Sequence, residues 1–105
     1  MLPETIPNII NGKEVLSRNG QTIEKLNPAT GKLLCCLTRS GSEDINEAVV
    51  SAKNAFTSWS ETPPVKRGEI LHNIVILMKK YQKEIAEIVS LETGKSFNDA
   101  FGETS

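Results

Sequence analysis

The stretch "LETGKS", Leu91–Ser96, decides how this chain is read. A Gly-Lys-Ser triplet closes the phosphate-binding motif G-x-x-x-x-G-K-[ST]. There a glycine-rich loop turns backbone N–H groups onto phosphate, the lysine adds charge and the hydroxyl binds Mg²⁺. Counting back from Gly94, the first glycine of that motif falls on Val89. A β-branched residue does not readily take the φ > 0 geometry such a loop uses. The motif must also follow a buried strand. What precedes it is a series of apolar residues, Ile70, Leu71, Ile74, Leu77, Met78 and Tyr81, carried on by Ile85, Ile88 and Val89, at spacings of three and four. That period belongs to a helix. Gly94 therefore reads as a left-handed C-cap, and Ser96-x-x-Asp99 as the N-cap of a further helix. No phosphate cradle is expected.

Upstream the same period continues. Ile45, Ala48, Val49, Ala52, Ala55, Phe56 and Trp59 form one apolar stripe, thinned by alanines, which predicts a helix packed close to a neighbour. Ser40 or Ser42 is its expected N-cap, with Glu43 and Asp44 suiting the positive helix start. "ETPP" ends it, since proline cannot continue the hydrogen-bond ladder yet serves the first turn of the next helix. Periodicity leaves open whether the stripe from Ile70 to Val89 belongs to one long helix or to two with a break near Tyr81-Gln82.

The first forty residues read as short strands and turns. "NIINGKEVL" sets Asn11-Gly12 between two apolar-bearing runs, a strong hairpin signal. Asn19-Gly20 marks a second turn. "TIEKL" alternates as a half-exposed strand does, with Thr22, Glu24 and Leu26 on one face and Ile23 and Lys25 on the other. In "NPATG", Asn27 can bond its own backbone, Pro28 presets φ and Gly31 permits the exit. "KLLCCLT" is a continuous apolar run, expected to be a strand buried on both faces.

Composition narrows the function classes. The chain has 105 residues, enough for one modest core, and 12 basic against 13 acidic residues. That balance favours neither nucleic acid nor an anionic membrane as partner. No apolar run approaches the roughly 18 residues that span a bilayer, and "MLPETIPNII" lacks the features of a secretory leader. Cys35 and Cys36 are adjacent, so on a strand they point to opposite faces and form neither an ordinary disulfide nor a zinc half-site. They read as reduced strand residues, which fits a cytoplasmic protein.

Chemistry-bearing patterns are missing. His72 has no second histidine and no cysteine at ligand spacing, and reads as a helix-surface residue. No serine sits in a G-x-S-x-G elbow, and there is no G-x-G-x-x-G. Glu69, Glu84, Glu87 and Glu92 lie beside basic neighbours on helical faces, and Lys79, Lys80 and Lys83 read as a solvated surface. The closing "SFNDAFGETS" starts a helix with no C-cap or polar tail, so the sequence is expected to be a piece of a larger fold.

Four stretches in this order carry a resemblance: "INGKEV" at Ile10–Val15, "LNPATGKLL" at Leu26–Leu34, "EDINEAVVSAKNAFTSW" at Glu43–Trp59 followed by "PPVKRGEIL" at Pro63–Leu71, and "EIAEIVSLETGKSFNDAFGE" at Glu84–Glu103. Together they resemble the N-terminal segment of the aldehyde dehydrogenase superfamily. The one departure is Ser96, where many relatives carry proline; either residue can open a helix. The resemblance implies an α/β fold: the incomplete N-terminal part of a Rossmann-like cofactor domain, with strands and turns over 1–40 and three to four helices over 41–105.

It also implies an oxidoreductase that converts an aldehyde to a carboxylic acid with NAD or NADP. A cysteine attacks the carbonyl to give a thiohemiacetal, and a glutamate activates the water that releases the acid. Those residues and the dinucleotide loops belong to parts of the family pattern beyond Ser105. No catalytic, cofactor-binding or metal-ligating residue is therefore expected here, and Cys35 and Cys36 do not match the nucleophile. A homo-oligomer is implied for the full-length enzyme, with no nucleic-acid or membrane partner. Two other readings stand beside this one. The first is a small α+β interaction module that uses its basic helix face. The second is a noncatalytic copy that joins full-length oligomers.

Overall fold

The computed structural model describes residues 2–105. Five short strands come first: β1 (Thr5–Ile6), β2 (Asn8–Ile10), β3 (Lys13–Val15), β4 (Thr22–Leu26) and β5 (Leu33–Thr38). Four helices follow: α1 (Ser42–Glu61), α2 (Pro64–Lys80), α3 (Gln82–Thr93) and α4 (Phe97–Glu103). The chain divides into two compact units, one of Met1–Lys25 with Leu34–Glu61, the other of Leu26–Leu33 with Thr62–Ser105.

In the first unit β2 and β3 form an antiparallel hairpin with Asn8 opposite Val15 and Ile10 opposite Lys13. Its turn is Asn11-Gly12, with φ of 53° and 70°. Positive φ at both central residues gives a turn whose twist matches that of the strands, and asparagine and glycine reach it at least cost. A separate sheet has the order β1-β5-β4. β1 runs parallel to β5, pairing Thr5 with Cys36 and Ile6 with Leu37. The Thr38 hydroxyl adds a bond to the Ile6 carbonyl at 2.7 Å.

In the second unit the "NPATG" corner closes as its residues dictate. The Asn27 side chain accepts from Ala29 N at 2.9 Å, and Gly31, at φ 70°, donates its N–H to the Asn27 carbonyl at 2.8 Å. α2 opens on Pro63 and Pro64. Residues 64–93 are two helices, since Tyr81 leaves helical geometry at φ −102°, ψ 13° between α2 and α3. α3 packs against α4, with Ala86 and Ala100 fully buried. The rings of Phe97 and Phe101, one helical turn apart, lie 5.8 Å between centroids.

Three expectations are corrected. Neither Ser40 nor Ser42 caps α1: the Gly41 carbonyl takes the first helical bond, from Ile45 N, and the Ser40 hydroxyl bonds the Asn8 side chain instead. The α1 stripe is not packed against a neighbour. Val49 and Phe56 are 47% and 67% exposed, and the one buried residue of the helix is Asp44. Nor is β5 buried on both faces, or β4 half-buried. Cys35 is buried but Leu33 is exposed, and in β4 only Lys25 is partly covered. For the α1 stripe and the two strands the reason is shared: apolar periodicity marks the faces that need cover, and these units do not supply it.

Candidate functional site

The "GKS" triplet is structural. Gly94 adopts φ 75°, ψ 4° and donates its N–H to the Ser90 carbonyl, stopping α3. A side chain there meets two obstacles, because a Cβ at Gly94 falls 3.1 Å from Pro28 Cγ. The Ser90 hydroxyl donates to the Lys95 carbonyl at 2.8 Å. The Lys95 ammonium is taken by Glu103, at 2.7 and 2.6 Å from its two oxygens. Ser96 caps α4, accepting from Asp99 N at 3.2 Å while its hydroxyl donates to the Asp99 carboxylate at 2.7 Å. Lysine and hydroxyl are thus both engaged, and the backbone makes a helix stop.

Cys35 is buried, Cys36 is half-buried, and both are free thiols. His72 is exposed on α2. Among the described residues no three of His, Cys, Asp and Glu group as metal ligands could, and no helix is long and apolar enough to cross a membrane. Lys79, Lys80 and Lys83 are exposed, as solvated residues are. Lys80 lies 5.1 Å from the Tyr81 ring centroid, a surface cation–π contact.

The most developed polar constellation surrounds Asp44. One carboxylate oxygen accepts from Arg18 N at 3.0 Å and the other from Gly41 N at 2.8 Å. These bonds, Gly41 first and then Arg18, hold the Asp44 carboxyl below its usual range. Ser17, also buried, donates to the Asn19 side chain at 2.8 Å, and that same Asn19 oxygen accepts from Gln21 N. The Arg18 guanidinium pairs with Glu47 at 2.9 Å. That bond comes first, with the charges of Glu47 and Glu43 after it, in holding Arg18 above its usual range.

This cluster fastens the 17–21 turn to the start of α1. Every buried side-chain polar atom in it has a partner, as a structural anchor requires. Sequence reading took Asp44 only as an acid near a helix start. The signal that finds it is spacing, because Asp44 stands three residues after Gly41, where a side chain reaches back to the cap N–H. A surface groove of about 400 Å³ lies between the hairpin turn and α1 and is lined by Asn11, Glu47, Ser51 and Asn54 among others. It brings together no acid–base or nucleophilic pair.

The model of the aldehyde dehydrogenase family matches residues 15–105. Malonate-semialdehyde dehydrogenase 2 of Geobacillus kaustophilus is 43% identical over 100 residues, 95% of this chain and 21% of that protein. A solved NADP-dependent enzyme of E. coli superposes with a TM-score of 0.94 at 32% identity, over 96% of this chain and 21% of that one. A methylmalonate-semialdehyde dehydrogenase structure from Sinorhizobium meliloti, described as putative and complexed with NAD, gives 0.89 at 33%, over 94% and 20%. The chain thus spans about a fifth of the length of the relatives it matches. The chain belongs to the aldehyde dehydrogenase family.

Proposed function

We propose that this chain is the amino-terminal scaffold of an enzyme that oxidises an aldehyde to a carboxylic acid with NAD⁺ or NADP⁺. The observation that carries this is the match to family members along nearly the whole chain. The cofactor supplies hydride acceptance. Cys35, buried in β5, and Cys36 beside it are free thiols of the scaffold. This chain's own residues build corners, helix stops and packing faces.

The semialdehyde dehydrogenases among its relatives support a short aldehyde that also bears a carboxylate as substrate. Reduced thiols and near-neutral charge suit a cytoplasmic enzyme, and the family resemblance supports a homo-oligomer. A self-sufficient interaction module gains no support, because among the described residues no large side chain is fully buried.

The test is a fusion of residues 1–105 to the part of the G. kaustophilus enzyme that follows its matched stretch. With malonate semialdehyde and NAD⁺ the fusion is expected to produce NADH, and the 105-residue chain alone none. NADH formation by the chain alone, or a soluble fusion without activity, would count against the proposal.

A further inference from the structure

α2 carries apolar residues on opposite sides. Ile70, Ile74 and Leu77, with Leu71, Val75 and Met78 next to them, cover about half the circumference at 100° per residue. Val65 and Ile76 emerge on the other side. All eight are between 46% and 73% exposed, and no residue of the helix is buried. The least exposed is Arg67, the reverse of the order a finished surface shows.

The area bounds how much cover is missing. The chain exposes 8068 Å². A compact protein of 11.5 kDa exposes about 5,800 Å², and two separate compact units of half that mass about 7,000 Å². Over the whole chain the excess is therefore about 1,000 to 2,300 Å². An obligate interface buries about that much on each partner.

We propose that α2 is a docking surface for the polypeptide that forms the other four-fifths of an aldehyde dehydrogenase, and that the surface suffices to hold it without a covalent link. This rests on the function proposed above and on the fifth of its relatives' length that the chain spans. A second copy fits less well, because a two-fold contact uses one patch once and leaves either Ile76 or Ile74 bare. A membrane surface fits less well too. A helix lying in that interface has one apolar face and one polar face, and α2 has apolar residues on both.

The fusion described above tests this once a specific-protease site is placed after Ser105. After cleavage the two pieces are expected to co-elute in gel filtration and to keep NADH formation within about twofold, as an obligate interface does. Ile74→Ala and Ile76→Ala are each expected to speed loss of the segment at least tenfold, and Lys79→Glu to leave it unchanged. Separation of the wild-type pieces from an active fusion overturns the docking proposal and leaves the function standing. A soluble, inactive fusion whose cleaved pieces stay together does the reverse. An insoluble fusion overturns docking, since the covering chain is then present and does not cover. A free 105-residue chain that dimerises with its α2 amides protected from exchange overturns it in favour of a second copy.

Discussion

Replacing Gly94 with alanine tests the central packing argument of the second unit. Two costs arise there, and they can be separated. The backbone sits at φ 75°, which costs an L-residue about 1–2 kcal/mol. The new Cβ would lie 3.1 Å from Pro28 Cγ, and relieving a contact of that kind adds about 1–2 kcal/mol. Together they come to about 2–4 kcal/mol of local stability, or exchange of the α3–α4 amides faster by about thirty-fold to a thousand-fold.

Hydrogen exchange followed by mass spectrometry on peptides covering residues 82–103 of the fusion reads this directly. Pro28→Ala removes Cγ and leaves Cβ at 3.7 Å, an ordinary contact. In that background the alanine penalty is expected to fall to the backbone share of about 1–2 kcal/mol. Gly94→Asn should lose less than alanine, since asparagine tolerates the left-handed region, but should show the same relief from Pro28→Ala. Two results refute the reasoning. One is unchanged exchange in Gly94→Ala; the other is a penalty that Pro28→Ala does not reduce.

Asp44→Asn is expected to loosen the 17–21 turn and the first turn of α1. Because the folded carboxyl is held below its ordinary value, the unfolded chain binds the proton more readily. The stabilisation is present above that ordinary value and lost as pH falls through the lowered one. The gap in urea midpoint between wild type and Asp44→Asn should therefore narrow as pH falls from 7 to 3, and a gap as wide at pH 3 as at pH 7 contradicts this. Ser96→Ala removes the cap of α4 and should cost about 1 kcal/mol, visible as faster exchange at the Asp99 amide. Millimolar Mg-ATP is expected to leave the unfolding midpoint unmoved, and a rise of several degrees would restore the phosphate reading of "GKS". Asn11→Ala, at φ 53°, should cost about 1 kcal/mol and Asn11→Gly almost nothing; equal losses would show that the turn is not held by its left-handed residues.

Local geometry was largely legible in the residues. Asn11-Gly12, "NPATG", Pro63-Pro64 and Gly94 each impose a φ value or remove a donor, and those restrictions act within a few residues. The break at Tyr81 was legible only as one of two options, because the apolar period runs through it unbroken. The α1 cap was misread because several residue types can fill that position. What chose Gly41 was the Asp44 carboxylate reaching both its N–H and that of Arg18, 26 residues away. The Ser96-x-x-Asp99 cap was legible too, whereas the Glu103 carboxylate that holds Lys95 was not.

By itself the sequence determined where the backbone turns, where helices stop and which family the pattern resembles, since these depend on short-range sterics and residue order. Tertiary structure alone decided which apolar stripes are covered. A period of three and four shows that a face is greasy, but burial also requires atoms opposite it. For α2 the described residues do not provide them.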